Sequence, residues 1–172
     1  MRVLISADDI HRRVEELAAQ MNRDFDSEPI TLVGILSGSL MFLADLVRKL
    51  SMPTRIGFLR ASSYRGESTT PGRLEILEGL TPDVRGRHIV VVDDILDSGH
   101  TLSQVLEHLR QFEPRSVRSA VLLRKRARQV VSFEPDYCGF EIEDVFVIGY
   151  GLDYNDDYRQ LPYLAVLDQS ET

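Results

Sequence analysis

The 172-residue chain reads as an α/β fold, a single domain with a mostly parallel central sheet flanked by helices. Two observations carry this reading and a third bounds it. Twice a near-continuous run of apolar, largely β-branched residues passes through a turn of small residues into a helical pattern. Ile30–Leu36 leads through Ser37-Gly38-Ser39 into Leu40, and Ile89–Val92 leads through an acidic, glycine-containing stretch into Leu102. Such runs lack the polar alternation of a strand with one wet face, so they mark strands covered on both faces between helices. The length suits one core, and no repeat, low-complexity segment or linker divides residues 1–172.

In order along the chain, Ser6 caps an amphipathic helix. Asp8 and Asp9 lie in its first turn, and Ile10, Val14, Leu17 and Met21 form its apolar stripe. His11 falls on its wet surface. The strand at Ile30–Leu36 and the helix from Leu40 form half of a βαβ unit, with Met41, Phe42 and Leu43 as core. A third strand begins near Pro53 and ends in Arg60-Ala61-Ser62-Ser63. The polar segment Tyr64–Gly72 is rich in turn residues, and Arg73–Leu77 alternates like a returning strand, so residues of about 62–74 form the tip of a hairpin. The central strand Ile89–Val92 ends where Asp93 and Asp94 begin, and a helix covers Thr101–Phe112 before Pro114. Another strand, Ser116–Leu123, runs into Arg124-Lys125-Arg126-Ala127-Arg128. Such a basic run reads as a localisation signal, a nucleic-acid patch or a solvated face. Its place at a strand end turns one side chain inward.

The formal net charge of −7 argues against general nucleic-acid binding and does not favour an anionic membrane surface. Cys138 is the only cysteine, which excludes an intrachain disulfide and fits a reducing cytoplasm. No apolar run approaches the ~20 residues of a membrane span. Arg2, Asp8 and Asp9 interrupt any signal-peptide core.

The most informative stretch is Val91-Val-Asp-Asp-Ile-Leu-Asp-Ser-Gly-His-Thr-Leu102. Consecutive N–H groups around Gly99, at a helix N-terminus, form a concave donor site suited to phosphate, and the Ser98 and Thr101 hydroxyls add donors. Asp93 and Asp94 would repel a phosphate, so ribose hydroxyls or a hydrated cation suit them. A ligand carrying both a sugar diol and a phosphate satisfies the whole stretch. Taken alone, Ser37-Gly38-Ser39 is equally a plain turn or a second phosphate site.

This stretch resembles the phosphoribosyl-pyrophosphate signature of the type I phosphoribosyltransferases. The block Pro135–Tyr163 resembles the hypoxanthine-guanine branch of that family, and the likeness runs from about residue 30 to 167. The resemblance implies a small hood of N- and C-terminal segments, contributed largely by residues 135–167, and a flexible lid carrying Ser63 and Tyr64. It implies phosphoribosyl contacts at Asp93, Asp94, Asp97, Ser98, Gly99, His100 and Thr101, and pyrophosphate contacts at Ser37, Gly38 and Arg159. It places the purine against Lys125, Phe146, Val147 and Asp153, makes Asp97 the general base, and puts Mg²⁺ near Asp153, Asp93 and Asp94. Family members often carry Lys or Arg where Ser37 stands, which leaves this chain with backbone contacts there. His100 stands at a variable position, and Asp93 is shorter than the usual Glu.

The activity so implied is Mg²⁺-dependent transfer of 5-phosphoribosyl from phosphoribosyl pyrophosphate to a 6-oxopurine, giving IMP or GMP and pyrophosphate. The alternatives are a xanthine-preferring relative and a non-catalytic sensor of the donor. The expected partners are the donor and a 6-oxopurine, without nucleic acid or membrane, and the assembly a cytoplasmic homo-dimer or homo-tetramer.

Overall fold

The computed structural model describes residues 1–61 and 83–167. The expected hairpin, with Ser63 and Tyr64 in it, lies outside the described residues. Strands β1 (Arg2–Ile5), β2 (Ile30–Leu36), β3 (Thr54–Arg60), β4 (His88–Leu96), β5 (Ser116–Arg124), β6 (Tyr137–Glu141), β7 (Val147–Ile148) and β8 (Leu164–Val166) form two sheets. The helices are α1 (Ala7–Phe25), α2 (Leu40–Val47) and α3 (His100–Arg110). The large sheet is parallel, in the order β3-β2-β4-β5-β6, and the small one is antiparallel, in the order β1-β8-β7.

Helix α1 starts as its sequence dictates, with the Asp9 amide donating to the Ser6 hydroxyl at 3.1 Å. It runs one turn past Met21 because Phe25 continues the buried stripe. The two faces of β4 explain why its run is wholly apolar. Val90 and Val92 join the core beneath α1 and α2, whereas Ile89 and Val91 join the core beneath α3. Each such side chain, moved fully out of water, contributes about 1.5–3 kcal/mol. Thr31, the buried polar residue of β2, is satisfied by the Arg87 guanidinium at 2.8 Å.

Two expectations need correction. β4 does not end at Val92. It continues through Asp93 and Asp94 to Leu96, because β5 keeps pairing alongside it (Asp93 with Val121, Ile95 with Leu123) after β2 has stopped at Val92. The acids therefore sit on a strand held from one side. Both Arg124 and Lys125 are buried, rather than one residue of the basic run. Strand β1, which the sequence does not announce, pairs with β8 across nearly the whole chain. Among the described residues no helix is long and apolar enough to cross a membrane.

Candidate active site

Strand order reverses at β2. The chain passes from β2 to β3 on one side and then returns to place β4 on the other. In open α/β sheets this switch point leaves a crevice beyond the strand ends, where ligands bind. Here it is a cavity of about 560 Å³. Ser37 and Gly38 line it from the end of β2, Asp93, Asp94, Asp97, Ser98, Gly99 and Thr101 from β4 and its loop, and Asp153 and Arg159 from the segment between β7 and β8. Residues distant in sequence but grouped by the same chemistry thus meet in one place. His100, Lys125, Phe146 and Val147 do not line this cavity.

The loop after β4 has the form of an anion cradle. Gly99, with φ of 91°, turns the chain into α3 in a left-handed conformation that a side chain would strain. Val130 and Val131 donate their amides to the Ser98 carbonyl at 2.9 and 3.1 Å and pin the loop from outside. Among the described residues, the amides of Ser98, Gly99 and Thr101 have no acceptor, as expected where a helix N-terminus awaits an anion. His100 is exposed, and its amide reaches the Ser98 hydroxyl at 3.4 Å.

The paired acids are held by their own backbone. Asp93 accepts from the Asp94 amide at 3.0 Å, and Asp94 from the Ile95 amide at 2.7 Å. Burial, and then the neighbouring Asp94 charge, push the Asp93 carboxyl well above the usual carboxylate range. Burial also pushes Asp94 upward, against the pull of its hydrogen bonds and of Arg159. Two carboxyls so placed favour hydroxyl donors or a cation. Their donor set, with Asp153, is all oxygen and suits a hard divalent ion. Among the described residues no cluster of three or more ligating side chains surrounds a metal position.

Two glycines press the halves of the site together. A Cβ on Gly38 would lie 2.5 Å from Asp94 Cγ and overlap its Oδ2. One on Gly151 would overlap the Gly38 carbonyl oxygen. Arg159 fastens the outer layer. It donates to the Gly151 carbonyl at 2.7 Å and pairs with Asp153 at 2.9 Å.

Beside the cavity, Lys125 is buried and pairs with Asp144 at 3.4 Å. Phe146 is 52 % exposed, with its ring edge-on to Tyr154 at 5.8 Å, so it is not a core residue. Val147 is buried in β7. The Asp97 carboxylate receives the Arg128 guanidinium at 3.2 Å. Arg124 is taken up by Glu134 and Gln129, and Arg126 by Glu141 and Glu134. The basic run is therefore neutralised locally. Sequence reasoning missed Arg128, Asp144 and Gly151. Only the glycine's place beside an acidic, aromatic block hinted at any of them.

Comparison with known proteins finds relatives over nearly the whole chain. The family described as phosphoribosyl transferase domain matches residues 6–155. A hypoxanthine-guanine phosphoribosyltransferase of Streptococcus pneumoniae is 40% identical over 168 residues, covering 98% of this chain and 93% of that protein. A hypoxanthine phosphoribosyltransferase of Haemophilus influenzae is 41% identical over 166 residues, covering 95% and 93%. The crystal structure of a hypoxanthine-guanine phosphoribosyltransferase from Bacillus anthracis superposes with a TM-score of 0.92 at 37% identity, over 98% of this chain and 99% of that one.

Proposed function

The chain belongs to the type I phosphoribosyltransferase family and, within it, to the hypoxanthine-guanine phosphoribosyltransferases of purine salvage, and from that premise we propose how its residues divide the reaction. The enzyme transfers 5-phosphoribosyl from phosphoribosyl pyrophosphate to hypoxanthine or guanine. The observation that carries the assignment is the single cavity joining the ends of β2 and β4 to Asp153 and Arg159.

The 5-phosphate sits on the Ser98–Thr101 amides at the N-terminus of α3, with Asp97 and His100 contributing from the same loop. The ribose hydroxyls meet Asp93 and Asp94. As pyrophosphate leaves, positive charge grows on the anomeric carbon and ring oxygen, as in other glycosyl transfers. The Ser37–Gly38 turn and Arg159 receive the leaving anion, the planar guanidinium being suited to phosphate oxygens. Mg²⁺ is the fitting ion for Asp93, Asp94 and Asp153, and when bound it supplies charge neutralisation for the pyrophosphate. The purine stacks on the exposed face of Phe146, is read by the Val147 backbone, and has Lys125 at its exocyclic oxygen and Asp153 nearby. Asp97 hydrogen-bonds the imidazole nitrogen and manages its proton as general base.

One domain over residues 1–172, a homo-dimer or homo-tetramer, and residence in the cytoplasm complete the proposal. The lone cysteine supports the last of these. Pyrophosphate release, measured with hypoxanthine, guanine, xanthine and adenine, with and without Mg²⁺, tests the substrate and the ion. Light scattering tests the assembly. Asp97→Asn should lower turnover by about 10²–10⁴-fold with an unchanged melting curve. Near-parental turnover removes Asp97 from the base role.

A further inference from the structure

We infer that Asp144 and Arg128 are positioning residues that fix the distance between the two side chains addressing the purine ring, Lys125 and Asp97. The inference rests on the roles proposed above for that lysine and that aspartate. Four side chains of alternating charge form one chain. Lys125 Nζ lies 3.4 Å from Asp144 Oδ1, and Arg128 Nη1 lies 3.7 Å from Asp144 Oδ2. Arg128 Nε donates to Asp97 Oδ1 at 3.2 Å. Asp144 thus gives one oxygen to each cation, and Arg128 spans the two carboxylates with different nitrogens.

The local fold produces this reach. Lys125 opens the 3₁₀ turn Arg126–Arg128, and the Arg128 amide donates to the Lys125 carbonyl at 3.1 Å. Residues three apart on such a turn lie one above the other, so both cations face one carboxylate. Asp144 arrives from the segment between β6 and β7, two residues before Phe146. It therefore also ties the aromatic platform to the end of β5.

A purely structural purpose does not account for the chain. The Arg128 and Asp97 side chains are 56% and 41% exposed, and pairs in water contribute little to stability. What they do constrain is direction. Arg128 occupies Asp97 Oδ1, and among the described residues Oδ2 has no partner, which leaves that oxygen for a ring N–H. Lys125 is different, being nearly buried, and a buried ammonium needs a compensating charge. Asp144 supplies it and limits where the remaining ammonium protons can point. Two recognition points on a rigid ring must keep a fixed separation, and Asp144 through Arg128 sets it.

Steady-state kinetics on the intact chain test this. Asp144→Asn keeps the shape and removes the charge. It should raise KM for hypoxanthine and guanine about tenfold and leave KM for the donor within about twofold. Asp144→Glu should recover part of the loss. Arg128→Gln should lower kcat about tenfold, with partial recovery in Arg128→Lys, because an ammonium can meet Asp97 but cannot span both acids. Unchanged purine KM in Asp144→Asn, alongside a raised value in Lys125→Ala, overturns the inference and leaves the lysine's role intact. Unchanged KM in both variants overturns that role and the inference with it. A donor KM rising in parallel with the purine KM marks general loosening and also overturns it.

Discussion

Gly38→Ala tests the packing at the heart of the site. Gly38 does not have a left-handed φ, so the backbone alone would accept alanine there. Space would not. The added Cβ would stand 2.5 Å from Asp94 Cγ, whereas carbon atoms pack at about 3.5–4.0 Å. The carboxylate must retreat by roughly 1 Å, which takes it out of hydrogen-bond range of the Ile95 amide, now at 2.7 Å. A donor left unsatisfied in a half-buried place costs about 1–3 kcal/mol. The smaller unfolded-state entropy of alanine offsets about 0.4–1 kcal/mol of this. The net of about 1–2 kcal/mol corresponds to a drop of roughly 2–8 °C in a chain of this size. Activity should suffer more, since a 1 Å displacement of a ribose contact costs about 10²-fold in donor kcat/KM. Thermal unfolding by circular dichroism, and initial rates with varied donor at saturating hypoxanthine, read the two effects. In an Asp94→Ala background the same substitution should cost less, because the clashing group is gone. If Gly38→Ala melts and turns over like the parent, the steric argument is wrong.

Phe146→Ala removes the proposed stacking platform together with its edge contact with Tyr154. Stacking worth about 1–3 kcal/mol predicts a purine KM at least about fivefold higher with an unaltered melting curve, and an unchanged KM would remove the ring from the base site. Tyr137 donates to Asp24 at 2.8 Å, and its hydroxyl is pushed up to about 12, first by burial and then by that hydrogen bond. Because the folded-state value is the higher one, its contribution is complete below about pH 10 and is lost as pH rises toward 12. Tyr137→Phe should therefore lose stability less steeply than the parent across that window in pH-dependent urea unfolding, and equal slopes would refute the linkage.

The parts of this molecule legible in the sequence are those whose cause is local. Ser6 and the stripe from Ile10 to Met21 announce α1 through short-range periodicity. The apolar runs at Ile30 and Ile89 announce buried strands, and the turn at Gly99 announces a helix N-terminus. The chemistry of Asp93–Thr101 is equally local, which is why all of its members except His100 reach the cavity wall. What escaped depends on partners far along the chain. Asp93 and Asp94 remain in β4 only because β5 lies beside them. Arg124 is buried because Glu134 and Gln129 fold back over it. Arg2–Ile5 is too short and too exposed to show a period, and it becomes a strand only against Leu164–Val166. The contact of Gly151 with Gly38 joins two loops that no spacing rule connects.

The pairing of Arg2 with Val166 has a consequence for how the molecule comes into being. Ribosomes deliver the amino end first, and domains begin to organise during synthesis. Strands β2 and β4 and helix α3 are complete by Arg110, and β5 and the Val130 and Val131 amides that hold the phosphate-gripping floor follow well before β8. The opening strand must wait, unpaired, for β8. Nascent chains that have exposed residues up to Val131 but not β8 would thus hold the floor without its roof, and β1 would remain an open edge until Leu164–Val166 emerge.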